Sequence, residues 1–137
     1  MAKDFYHESF RRALEKDGWT ITHDPFPIRV GRISYEVDFG AEKLIAAEKG
    51  DEKIAVELKS FKGPSDVNEF HRAMGQFNDY DANLSVIEPE RTLYLAVPDE
   101  AWEEFFQEIA IQRALKRIQA RLIVYNPILE NLTQWIK

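Results

Sequence analysis

The chain contains no cysteine. That excludes a disulfide framework, a thiolate zinc site and a cysteine nucleophile. It also lacks any long apolar run. No segment approaches the ~20 residues that a membrane-spanning helix needs. The opening M-A-K-D-F-Y-H has no signal-peptide core. A cytoplasmic location is the expectation that follows. There is no internal repeat, low-complexity tract or linker, so 1–137 is read as one domain, large enough for its own core. Positive charge is scarce: 18 Lys and Arg stand against 24 Asp and Glu, a net charge of −6. Such a surface does not grip DNA everywhere. It leaves room for a local basic patch, and for the clustered carboxylates that a metal site requires.

What is present centres on residues 38–59. In 33–39, alternation places Ile33, Tyr35, Val37 and Phe39 on one strand face and Glu36 and Asp38 on the other. In 54–59, Ile54, Val56 and Leu58 take one face, and Glu57 and Lys59 the opposite one. Side chains two apart on a strand stand roughly 7 Å from each other. Two such strands packed on a common core present Asp38, Glu57 and Lys59 on one side. Carboxylates are hard oxygen ligands that suit Mg²⁺ or Mn²⁺. The ion can activate water, and the lysine can orient that water or neutralise developing charge on a phosphate. The competing reading is a solvated strand face, since E-x-K is common on strands.

Elsewhere, residues 4–16 read as a helix with Tyr6, Phe10, Ala13 and Leu14 as the buried stripe and Asp4 as its cap. Glu8 lies off that stripe, either as a further carboxylate over the site or as an i, i+4 partner of Arg12. His7 is expected at the surface. Residues 19–23 alternate as a short strand, and Arg29 and Arg32 flank Gly31, as phosphate contacts or a solvated pair. A meander of 33–39, 43–48 and 54–61 is expected to be antiparallel, because its connections are short.

Residues 65–83 form the second long helix, capped by Asp66 with Glu69, on a stripe of Val67, Phe70, Met74 and Phe77. Gln76 and Tyr80 are four apart beside that stripe. Together they can orient a lysine, water or phosphate; the alternative is an exposed amide beside a half-buried tyrosine. Residues 92–97 are expected as a central parallel strand. Asp99 then caps a third helix with Trp102, Phe105 and Phe106 as its core face, continuing helically over 109–120. Arg113, Lys116, Arg117 and Arg121 make an acid-free cluster, a phosphate-contacting or a solvated face. Residues 122–125 are expected as the last strand and 129–137 as a tail. In that tail, Trp135 is a candidate interface anchor for a homodimer or a heteromeric complex.

The order of these elements resembles the PD-(D/E)XK nuclease superfamily. The matching pattern is Asp38, then Glu57-Leu58-Lys59, then Gln76-Phe77-Asn78-Asp79-Tyr80. More narrowly, K-D-F-Y-H-E, Y-E-V-D-F-G-A-E, A-V-E-L-K-S-F and Q-F-N-D-Y resemble the XisH family of excision controlling factors over nearly the whole chain. The resemblance implies an α/β fold with a restriction-endonuclease-like core, a mixed central sheet flanked by helices. It implies Asp38 and Glu57 as metal ligands, Lys59 as the catalytic lysine, and Glu8 as the first-helix carboxylate of many members. It implies that Gln76 and Tyr80 form the helix motif of RecB-like nucleases. Val37 stands where the superfamily's name places a proline. Implied partners are DNA, undergoing programmed excision of an element, and a small XisI-like protein. Two function classes stay open: a Mg²⁺-dependent DNA endonuclease, and a non-catalytic accessory factor acting with that partner on a site-specific recombinase.

Overall fold

A computed structural model describes residues 5–34 and 44–137. Its first helix, α1, spans His7–Lys16 and buries His7, Phe10, Ala13 and Leu14 on one side. The helix starts later than the 4–16 expected, with Tyr6 at its N-cap; Asp4 lies outside the described residues. Gly18 (φ +95°) then turns the chain through a conformation that favours glycine.

The strands that follow are β1 (Thr20–Phe26), β2 (Arg29–Val30), β3 (Ile33–Ser34), β4 (Leu44–Lys49) and β5 (Glu52–Leu58). Helix α2 (Asp66–Ile87) crosses to β6 (Arg91–Pro98). A short α3 (Asp99–Glu103), a 3₁₀ turn at Phe105–Gln107 and α4 (Ile109–Ile118) lead to β7 (Leu122–Asn126) and β8 (Asn131–Ile136). Among the described residues, six strands make one sheet in the order β1-β4-β5-β6-β7-β8. The β1-β4-β5 side and the β7-β8 pair are antiparallel, and β5-β6-β7 is parallel. The mixed sheet flanked by helices is the fold class that the sequence led to expect.

Two packed layers cover the sheet. On one, α1 seats Phe10 and Leu14 against Ile45, Val56, Ala96, Ile123 and Tyr125. On the other, Phe70, Ala73, Phe77, Tyr80 and Leu84 of α2 pack with Ala55, Leu95 and Val124. Fully burying each such large side chain stabilises the fold by about 1.5–3 kcal/mol.

Several local expectations change. Ser65, rather than Asp66, caps α2: its hydroxyl accepts from the Asn68 amide at 3.2 Å. Of the strand expected over 33–39, the described part, Ile33–Ser34, pairs with Arg29–Val30 in a separate two-stranded sheet. On the side of β4 away from β5, the described partner is β1. The helical continuation over 109–120 is broken before α4. Phe106 there is wholly buried, and its ring meets Phe61, Phe70 and Trp102. That packing folds the chain back at Glu104–Glu108, although no proline or glycine marks the place. Residues 131–136 form an edge strand rather than a tail. Trp135 in it is half-buried, with ring centroids 5.7 Å from Trp19 and 5.0 Å from Tyr94, so its large face is spent inside the domain. Arg121 leaves the basic cluster: it donates to Asp81 Oδ1 at 2.7 Å and to the Leu93 carbonyl at 3.0 Å.

Candidate functional site

β5 is the strand that builds the site. It runs between β4 and β6, with Glu57 opposite Leu44 on one side and Leu95 on the other. Strand alternation sends Ile54, Val56 and Leu58 into the α1 layer and Ala55 into the α2 layer. Glu57 and Lys59 follow Ala55, so both charged groups point beneath α2. The Lys59 amide donates to the Ala96 carbonyl at 3.0 Å, which extends the parallel ladder past the last strand residue. Lys59 therefore rises from a paired, rigid backbone.

Both side chains are sunk in the protein: Glu57 is 1 % exposed and Lys59 0 %. Their tips converge to 3.7 Å between Lys59 Nζ and Glu57 Oε2, an ion pair looser than a short hydrogen bond. Taking two charges out of water costs several kcal/mol per ion, so each depends on opposite charge and hydrogen bonds nearby.

α2 supplies the roof. Tyr80 is buried in the layer that contains Ala55. Gln76 is half-buried, and its Oε1 is shut from solvent with no hydrogen-bond partner among the described residues. The structure thus brings Glu57 and Lys59 to within 3.7 Å of each other on the sheet face whose apolar layer includes Ala55 and Tyr80 of α2. Asp38 lies outside the described residues. Glu8 is exposed on α1, which packs on the opposite layer. Arg29 and Arg32 are exposed on the β2–β3 hairpin. Among the described residues no group of three or more His, Asp or Glu converges.

Two features escaped sequence reasoning. Glu69, read only as a helix-cap residue, accepts from the Phe61 amide at 3.3 Å. Phe61 sits at φ +55°, a left-handed conformation uncommon outside glycine, two residues after Lys59. Glu69 thus ties the loop leaving β5 to α2. His7, expected at the surface, is 5 % exposed, and its Nε2 lies 2.8 Å from Asp24 Oδ2. Arg11 Nη1 donates to the same oxygen at 2.8 Å. The signal was present: His7 stands at i−3 from Phe10, on the buried stripe.

A mixed α/β sheet with helices on both faces, carrying a buried carboxylate–lysine pair on its third antiparallel strand, defines a restriction-endonuclease-like domain. The particular family follows from comparison with known proteins. The XisH family (XisH protein) matches residues 1–133, and the chain belongs to that family. It is similar to the crystal structure of an XisH family protein from Nostoc punctiforme PCC 73102, with 44% identity, a TM-score of 0.90, and coverage of 98% of this chain and 100% of that one. It is equally similar to a fdxN element excision controlling factor protein from Anabaena variabilis, with 44% identity, a TM-score of 0.89, and coverage of 96% and 98%. No match is found among curated proteins.

Proposed function

We propose that this chain is a DNA excision controlling factor whose β5 site acts as a metal-dependent endonuclease. The observation that carries this reading is the buried pair, Lys59 Nζ 3.7 Å from Glu57 Oε2, on the sheet face roofed by α2. The name of the Anabaena variabilis relative supplies the biological setting.

The donor chemistry fits Mg²⁺ or Mn²⁺. Glu57 offers a carboxylate, Gln76 a buried amide oxygen without a described partner, and Asp38 a second carboxylate from the sequence pattern. Glu57 and Asp38 would hold the ion, with Glu8 the remaining carboxylate the family pattern assigns. When bound, a divalent ion supplies Lewis-acid chemistry and lowers the pKa of a coordinated water. In a conformation that opens the site to DNA, Lys59 Nζ would donate to a non-bridging oxygen of the scissile phosphate and offset the charge that builds as water adds to phosphorus. Gln76 orients Lys59 or the attacking water through its amide. Tyr80 holds the α2 roof, while exposed Arg29 and Arg32 meet the DNA backbone. A XisI-like protein, or a second copy of the chain, completes the assembly. Exposed Phe5, Ile128 and Leu129 offer apolar surface for that contact.

A second reading rests on the same burial. With Lys59 wholly enclosed, a duplex phosphate does not reach Nζ in this conformation. The pair then serves as an internal ionic staple, and the protein acts as a non-catalytic scaffold beside a site-specific recombinase.

The deciding experiment supplies linear, supercoiled, branched and single-stranded DNA with Mg²⁺ or Mn²⁺ to the protein, alone and with its XisI-like partner. Cleavage that falls by about 10²-fold or more in Lys59→Ala supports the enzyme. Absence of cutting of every DNA form selects the scaffold. Cutting that survives Lys59→Ala points to another site.

A further inference from the structure

Charge is divided unevenly along this acidic chain. Residues 1–108 hold thirteen Lys and Arg against twenty-three Asp and Glu, a net −10; residues 109–137 hold five against one, a net +4. Most of that excess sits on α4. The buried side of α4 is Ile111 and Leu115. Arg113, Lys116 and Arg117 occupy its outer side, and all three are exposed. The i, i+3, i+4 spacing stacks them on one face, with a rise of about 6 Å from Arg113 to Arg117. That length is close to the axial rise of two base-pair steps, so the three cations can face neighbouring phosphates.

The three differ from Arg11, Arg12, Arg91 and Arg121 in having no internal use. Arg11, Arg12, Arg91 and Arg121 each have a carboxylate oxygen within 2.6–2.9 Å. Arg113, Lys116 and Arg117 make no ion pair or hydrogen bond among the described residues, in a protein with carboxylates in excess. A merely solvated helix face ordinarily intersperses both signs. Beside this face opens a groove of about 500 Å³ lined by Trp102, Gln112, Lys116, Gln119, Arg121 and Lys137. No acidic side chain lines it among the described residues. Cations, amide donors and one indole ring are the groups that meet a sugar-phosphate backbone.

We infer that the outer face of α4, with the groove beside it, is a docking surface for the DNA phosphate backbone. The inference rests on the proposal that the protein acts on DNA, and deepens it by naming the surface. α4 packs against the same layer of the sheet as α2, so a duplex lying on it is on the side to which Glu57 and Lys59 point. Arg121 contributes little, because its guanidinium is committed to Asp81 and Leu93.

Fluorescence anisotropy of a labelled random-sequence duplex, titrated with the full-length chain over a salt series, tests this. Each phosphate neutralised contributes about 0.9 to the slope of log K against log salt. The triple variant Arg113→Gln/Lys116→Gln/Arg117→Gln is expected to lower that slope by about 2.7. A control triple at exposed positions on other elements, Lys16→Gln/Lys49→Gln/Arg72→Gln, removes the same charge and is expected to lower it by less than about 1. Far-UV circular dichroism checks that α4 persists. Equal slopes in the two triples overturn the docking surface and leave the DNA reading standing. A parent chain that binds no duplex overturns both. Loss of cleavage with the slope difference intact refutes only the nuclease.

Discussion

Replacing Lys59 by methionine isolates the energetics of the buried pair. The substitution keeps side-chain length and removes the ammonium, so the Glu57 carboxylate loses the cation 3.7 Å away while its side chain stays 2% exposed. Breaking a buried pair from one side costs about 3–5 kcal/mol, because a buried charge loses an opposite charge close by. A 137-residue chain has an unfolding entropy of about 0.29 kcal/mol/K, at about 2.1 cal/mol/K per residue. The expected fall in Tm is therefore about 10–17 °C. Glu57→Leu alone takes the carboxylate away from the ammonium 3.7 Å from it and is expected to cost a similar amount. The double variant Glu57→Leu/Lys59→Met removes both charges and is expected to recover most of the loss. Differential scanning calorimetry of the four proteins closes the cycle. A single Lys59→Met shift below about 3 °C would refute the reasoning, as would a double variant as unstable as the sum of the singles. Either result would mean that the two groups do not share a dry site in solution.

Two further outcomes follow from other parts of the fold. Arg12 donates to both oxygens of Glu130, from Nε at 2.9 Å and from Nη2 at 2.6 Å, and this hydrogen bonding holds the Glu130 carboxyl below its ordinary range. The contribution is present above the ordinary carboxylate pKa and is lost as pH falls through the lowered value, so a carbon-detected NMR titration should find Glu130 taking up its proton late on acidification, and Arg12→Gln should restore ordinary behaviour. Trp135→Ala removes a half-buried indole from Trp19 and Tyr94, and is expected to destabilise the domain by about 2 kcal/mol; chemical denaturation reads this, and an unchanged midpoint would count against the packing of β8.

Where residues respond to near neighbours along the chain, the sequence was readable. Ile54, Val56 and Leu58 alternate with Glu57 because a strand has a period of two, and that alone placed Glu57 beside Lys59. Phe70, Met74 and Phe77 mark α2 by their helical spacing, and the apolar run before Pro98 is the central β6. What stayed hidden depends on distant partners. Arg121 looks like part of a basic cluster until Asp81, forty residues earlier, reaches it. His7 falls on the α1 stripe, at i−3 from Phe10, but the partner that lets an imidazole be buried there, Asp24, comes seventeen residues later. The break after Glu103 comes from aromatic packing between Phe106 and Phe61, which no local breaker announces. β8 is an edge strand with irregular half-burial, so its alternation is faint. For the site itself, the pair on β5 was legible as a face. Its depth was not, because burial is conferred by α2 and by both neighbouring strands.

The attachment of α1 has a consequence for how the polypeptide is made. Phe10 rests on the ring of Tyr125 with centroids 5.1 Å apart, Lys16 donates to the Leu129 carbonyl at 2.9 Å, and Arg12 holds Glu130, 118 residues later in the chain. Translation at about 5–20 residues per second separates these partners by roughly 6–24 s. A ten-residue helix is marginal in water without something to pack on. The nascent segment therefore emerges from the ribosome with Phe10 and Leu14 uncovered, and it waits for the last hairpin before it can settle. Vectorial synthesis therefore leaves α1 without its β7–β8 partners until the end of the chain has been made.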